Sequence, residues 1–225
     1  GEIDEHNLTH LPYRSWCPIC VSAAGREDRH MRRSDEVEEG ELTTVGMDYN
    51  FIGDGIGIGH ENETKALVLK DFKTGMLWAH RVDKKGPQDK WAVKKVVSDI
   101  EFLGRSELKM KIDGEPAINA FQSAVIAARP APNVTIPVNP PAYDPQANGC
   151  IEKGVQDVNT QTRKTKLALE NRLGMEVEAK HPIVEWGLEH SVFIVSRCAM
   201  GSDGKAPFEK LTGSRWKGKV VEFGE

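Results

Sequence analysis

Three acidic residues stand where a carboxylate can meet other carboxylates: Asp48 in TTVGMDYNFIG, Asp113 in ELKMKIDGEPAI and Glu152 in YDPQANGCIEKGVQDV. Each lies at the edge of an apolar run or at the start of a helical one. Hard oxygen donors suit Mg²⁺ or Mn²⁺, and two such ions about 3.5–4 Å apart support phosphoryl transfer when carboxylates bridge and flank them. Acids this far apart in sequence can cooperate only if the fold brings them together. Asp48 and Asp113 are 65 positions apart, and Glu152 lies a further 39 on. A second donor set sits near the N-terminus. His6 and His10 are four positions apart, on one helical face, and Cys17-x-x-Cys20 forms a knuckle. Two imidazoles and two thiolates make a closed tetrahedral zinc site, structural rather than catalytic. His30 is a spare candidate ligand.

The elements that must position these groups follow from pattern. TTVGMDYNFI is rich in β-formers and predicts a strand. DGIGIGHENE is polar and Gly-rich, a long hairpin loop; no helix follows it, so it does not read as a phosphate-binding loop. TKALVLKDF and GMLWAHRVD predict a second and third strand, and the short connections predict an antiparallel meander. QDKWAVKKVVSDIEFLG has apolar residues at helical spacing. ELKMKID predicts a fourth strand ending at Asp113, and EPAINAFQSAVIAA a helix with Pro116 in its first turn. VTIPV is a fifth strand and NPPAYDPQ a loop. A long helix is expected from about 147 to 173, and another over HPIVEWGLEHSVFIVSRCAM, with Cys198 in the core. The tail from 201 reads as irregular. The fold class expected is therefore α/β: a mixed five-stranded sheet with helices on its faces, preceded by a small metal module.

Bulk properties agree. The 225 residues suit one domain plus an appendage, and 39% hydrophobic with 28% charged residues fits a globular chain with a real core. The net charge of −4 gives no general signature of nucleic-acid binding, yet the acids concentrate in SDEVEEGE at 34–41. The stretch from Lys153 to Arg172 is locally basic, and a local basic face matters more than the total for contact with a phosphate backbone. No apolar stretch is long enough to span a membrane. The start lacks a Met and has no signal-peptide character, so a piece of a longer polypeptide is expected. Expected boundaries are a zinc module at 1–25, a charged linker at 26–42, the core at 43–200 and the tail at 201–225.

The constellation resembles the integrases of retroviruses and retrotransposons. Asp48 in the first strand, Asp113 before a polar turn and helix, and the string Pro145-Gln146-x-Asn148-Gly149-x-x-Glu152 carry the likeness. The family also carries a His-His-Cys-Cys zinc module before its core. This chain departs in having Asp113-Gly114-Glu115 where the family often has Asp-Asn-Gly, and slightly more residues between Asp113 and Glu152 than is usual. It also has only six residues between His10 and Cys17, a compact or truncated module.

The resemblance implies a ribonuclease-H-like core that performs DNA integration by 3′-end processing and strand transfer. Asp48, Asp113 and Glu152 would be catalytic and would hold Mg²⁺ or Mn²⁺; His6, His10, Cys17 and Cys20 would hold Zn²⁺. Lys153, Gln156, Asn159 and Arg163 would track a DNA backbone, the last three at helical spacing from Glu152. It further implies donor-end and target DNA as partners, self-association, and a nuclear location. Rival readings are another ribonuclease-H-like nuclease or transposase, and a non-catalytic DNA-binding or assembly module of a decayed element.

Overall fold

A computed structural model describes residues 1–24, 42–52, 64–138, 149–178 and 181–225. The hairpin loop from 54 to 63, nearly all of the charged linker, His30, and the stretch 139–148 that holds Pro145, Gln146 and Asn148 lie outside the described residues.

Two short helices, α1 (Glu2–Thr9) and α2 (Pro18–Ala23), build the N-terminal module. The core follows as β1 (Thr44–Ile52), β2 (Thr64–Asp71), β3 (Leu77–Arg81), α3 (Lys90–Phe102), β4 (Glu107–Ile112), α4 (Pro116–Ala128), β5 (Val134–Val138), α5 (Gly149–Leu173) and α6 (Pro182–Cys198). The sheet order is β3-β2-β1-β4-β5. The first three strands form the expected antiparallel meander, while β4 and β5 continue it in parallel. The mixed five-stranded sheet with flanking helices is thus the fold observed.

Strand alternation decides what faces what. Val45, Met47 and Tyr49 of β1 enter one core with Leu67, Leu69, Val96, Ile100, Ile118 and Phe121, beneath α3 and α4. Phe121 is fully buried there, and burial of such a side chain stabilises by about 1.5–3 kcal/mol. The other face of the sheet, with Ala66, Val68, Leu77 and Ala79, packs against Ile151 and Val158 of α5 and Leu188, Val192 and Val195 of α6. By the same alternation Gly46, Asp48 and Asn50 look toward α5.

Local signals set the helix starts. The Asp89 side chain accepts the Ala92 N–H at 3.0 Å, capping α3. Pro116 opens α4 and Pro182 opens α6. Two expectations need correction. The tail contains a helix, α7 (Pro207–Thr212), whose Phe208 joins Phe193 and Trp216 around the Arg197 guanidinium; this cation–π packing supplies order that the Gly- and Lys-rich composition does not advertise. Cys198, the last residue of α6, is only half-buried, because the helix ends at the rim of the core.

Candidate active site and metal module

Asp48 and Asp113 meet through strand pairing. β1 and β4 are parallel neighbours, and Met47 pairs with Ile112. One step further along each chain stand the two acids, so the middle of β1 and the end of β4 bring them to neighbouring positions. Asp48 is largely enclosed. Burial, with Asp113 as the next contribution, pushes its carboxyl up to about 6; the Tyr49 backbone N–H and Lys85 oppose this, and Glu115 adds to it. Two carboxylates that destabilise each other's charge are a donor set that a divalent cation would relieve. Asp113 Oδ1 also accepts the Glu115 N–H at 3.3 Å, so the same side chain shapes the turn into α4.

Glu152 is placed by the packing of α5. Ile151 lies directly over Gly46: a Cβ on Gly46 would come within 3.0 Å of the Ile151 Cβ. Gly154 fits against Lys70 and Leu77, and Lys70 Nζ donates to the Cys150 carbonyl at 3.2 Å. The first turn of α5 therefore sits on β1 and β2 with Glu152 exposed on it. Among the described residues, His6, His10, Cys17 and Cys20 form the one group of three or more such donors with all ligand atoms within 4.8 Å. Asp48, Asp113 and Glu152 do not form such a group.

The expected DNA-tracking residues divide. Lys153 and Gln156 are exposed, and Lys153 pairs with Asp157 at 3.1 Å. Arg163 is exposed and donates to the Ala23 carbonyl at 3.0 Å, tying α5 to the N-terminal module. Asn159 turns toward the sheet and hydrogen-bonds Asn50 in both directions.

The four N-terminal donors are buried together. Cys17 Sγ lies 3.5 Å from His10 Nδ1, and Cys20 Sγ lies 3.5 Å from His6 Nε2. A tetrahedron with Zn–S near 2.3 Å and Zn–N near 2.0–2.1 Å has N···S edges of about 3.5 Å, so the donor set fits zinc. The short His10–Cys17 connection therefore gives a compact module that still gathers all four donors. Burial is the leading cause that lowers both imidazoles, His10 to about 4, and raises the Cys20 thiol. The module rests on α5: Leu167 packs against Cys17, Ile19 and Cys20, Gln161 Nε2 donates to the Thr9 carbonyl at 2.7 Å, and the buried Lys164 donates to the His10 carbonyl at 3.3 Å. This docking had no signal in the sequence, because Gln161 and Lys164 read as ordinary polar positions of a helix.

No protein-family model matches the chain, and no curated protein matches it in sequence. Solved structures match its fold. A chain of the simian T-cell lymphotropic virus intasome in complex with PP2A regulatory subunit B56 gamma superposes with a TM-score of 0.58 at 15% identity, over 87% of this chain and 64% of that one. This chain thus spans less than two thirds of that relative's length. The HTLV-2 integrase catalytic core domain in complex with magnesium matches with a TM-score of 0.53 at 13% identity, over 75% of this chain and 95% of that one. The BIV integrase catalytic core domain is also similar, at 0.46 and 17% identity, over 76% and 93%. The core has the fold of retroviral integrase catalytic cores, and a buried His-His-Cys-Cys group precedes it.

Proposed function

We propose that this chain is the zinc module and catalytic core of a retrotransposon-type integrase, a polynucleotidyl transferase with endonuclease activity on DNA ends. The observation that carries this reading is the pairing of β1 with β4, which sets Asp48 and Asp113 side by side beneath the helix that bears Glu152. The integrase-core fold and the His-His-Cys-Cys group support it.

Asp48, Asp113 and Glu152 would hold one or two Mg²⁺ or Mn²⁺ ions, and all are oxygen donors of the kind these cations prefer. Such ions, when bound, sharpen the attacking oxygen and neutralise charge on the phosphoryl group and the leaving oxygen. Asp48 must give up its proton to serve, and its raised affinity for that proton makes it the residue that sets the acid limit. Asp113 positions α4 as well as its own carboxylate. Lys153, Gln156 and Arg163 would face DNA along α5, while Asn159 fixes the helix to the sheet. His6, His10, Cys17 and Cys20 would hold Zn²⁺ and keep the module folded against α5. No helix among the described residues is long and apolar enough to cross a membrane. Donor-end and target DNA, self-association and a nuclear site of action complete the proposal.

Reversal of strand transfer on a branched DNA oligonucleotide tests it. Product that requires Mn²⁺ or Mg²⁺ and disappears in Asp113→Asn supports the reading. A folded, zinc-loaded protein that forms no product and binds no Mn²⁺ at the three acids is instead a non-catalytic DNA-binding module.

A further inference from the structure

A phosphoryl-transfer site built from several carboxylates must accept a phosphodiester that is itself an anion. The structure holds a cation, Lys85, within electrostatic reach of Asp48 in a defined pose. Lys85 lies in the connection between β3 and α3, and that connection is pinned where the Gly86 N–H donates to the Tyr49 hydroxyl at 2.8 Å. The Lys85 ammonium lies 5.2 Å from the centre of the Tyr49 ring and 5.1 Å from that of Phe51. It is held by both oxygens of Glu115, at 2.8 and 2.9 Å. Tyr49 follows Asp48 in β1, and Glu115 follows Asp113 by two residues. Three elements therefore hold this ammonium against the Tyr49 and Phe51 rings, on the opposite face of β1 from Asp48 but within electrostatic reach of it.

Resting on the integrase reading above, we propose that Lys85 binds a phosphate of the DNA strand at the Asp48–Asp113 site and that Glu115 is the residue that positions it. The Lys85–Glu115 pair is part-exposed, and solvent-screened pairs of this kind contribute little, so exchanging the carboxylate for a phosphate oxygen costs little. The two aromatic faces keep the stem and ammonium in place during that exchange. Lys84, one residue earlier and exposed, has the same formal charge without these ring and carboxylate contacts.

The test is the salt dependence of binding to a branched DNA oligonucleotide, with Ca²⁺ replacing Mg²⁺ to prevent turnover, for Lys85→Met, Lys85→Arg and Lys84→Met. Met keeps an apolar stem over the rings without the charge. Loss of one phosphate contact lowers the slope of log K against log salt by about one unit, uniformly across DNA sequences. The expected result is that loss in Lys85→Met, a near-normal slope in Lys85→Arg and a smaller change in Lys84→Met. Equal slopes in Lys85→Met and the parent chain, or an equal loss in Lys84→Met, would overturn the assignment. A Lys85-dependent slope in a protein without metal-dependent strand transfer retains the phosphate site and removes the integrase reading. Metal-dependent activity with a Lys85-independent slope does the reverse.

Discussion

Asn50 of β1 and Asn159 of α5 exchange side-chain amides: Asn50 Nδ2 donates to Asn159 Oδ1 at 2.5 Å, and Asn159 Nδ2 donates back to Asn50 Oδ1 at 3.1 Å. Together with Ile151 over Gly46, this pair fixes the helix on the strand at two points. The eight residues from 151 to 159 advance about 12 Å along a helix. The four from 46 to 50 advance about 13 Å along a strand. Helix and strand therefore run in the same direction and in step, and Asp48 lies between the two anchors. Glu152, next to the first anchor, inherits its height above the acid pair from this match.

Asn159→Ala leaves the Asn50 amide buried and half unpaired. A loss of about 1–3 kcal/mol is expected from that desolvated group. Replacing both residues with Leu should cost less than the sum of the single changes, because no polar atom is then stranded. Chemical denaturation of the two single variants and the double variant measures the coupling, and simple additivity would show that the pair does not anchor α5.

Gly46→Ala tests the other anchor. An added Cβ would meet the Phe72 ring at 2.5 and 2.7 Å and the Ile151 Cβ at 3.0 Å. Since β1 is central in the sheet, the helix or the ring must move. Overpacking of this kind costs about 1–3 kcal/mol. Displacement of α5 also shifts Glu152, so metal-dependent strand transfer should fall more than the lower melting temperature explains. Activity that simply tracks the folded fraction would separate Gly46 from the placement of Glu152.

The raised Asp48 carboxyl gives a pH signature. Its folded value of about 6 lies above the ordinary 3.8, so the folded state holds this proton more tightly than the unfolded state does. Stability from this residue is greatest below pH 3.8 and declines as pH rises through about 6, where half of the folded molecules have lost this proton, levelling off above that. Asp48→Asn removes that penalty. At pH 7 it should stabilise the protein by about 1–2 kcal/mol, after allowance for solvent screening of a partly open site. The gain should vanish near pH 4. Mn²⁺ binding by the parent chain should weaken below pH 6, since a proton and the cation compete for Asp48. Equal melting temperatures for the two proteins at pH 7 would place Asp48 in a more open setting than the structure gives it.

Much of this arrangement was legible in the chain. Alternation in TTVGMDYNFI and helical spacing in QDKWAVKKVVSDIEF follow from which face each element buries, so strand and helix types came from pattern. The zinc donors were visible because two His four positions apart and a Cys-x-x-Cys pair match the spacing of a metal site, and the structure gathers all four. The β1–β4 pairing joins segments some 60 residues apart, and the structure supplies it. What pattern could not reveal were contacts between distant polar residues. Asn159 at helical spacing from Glu152 reads as solvent-facing, and only the sheet beneath it shows why it turns inward. Lys85 and Glu115 lie 30 positions apart, and each alone resembles a surface charge. Helix α7 owes its order to aromatic packing around Arg197, which no local window contains.

Zinc removal should loosen the N-terminal module from α5 and leave the sheet intact. The four donors are buried, so besides the metal centre α1 and α2 are held by the apolar contacts around Leu167 and by the hydrogen bonds that Gln161, Arg163 and Lys164 donate to their carbonyls. Chelation, or Cys17→Ser, should abolish zinc binding, measured as one ion per chain by metal analysis of the parent protein. Hydrogen exchange should then quicken in 1–24 and at Gln161 to Leu169, where Gln161 and Lys164 lose the Thr9 and His10 carbonyls, while β1 and β4 stay protected. Acid adds to the effect with a definite sign. The folded module keeps His10 neutral down to about pH 4, whereas an unfolded His takes a proton near 6.5. Stability of the module is full above pH 6.5 and drains away as pH falls toward 4. Protons also compete with zinc for the thiolates and imidazoles over that range, so the zinc-loaded module should release its metal on the same descent. If exchange in β1 and β4 quickens together with the module, the two parts unfold as one unit and the zinc site stabilises the catalytic sheet directly.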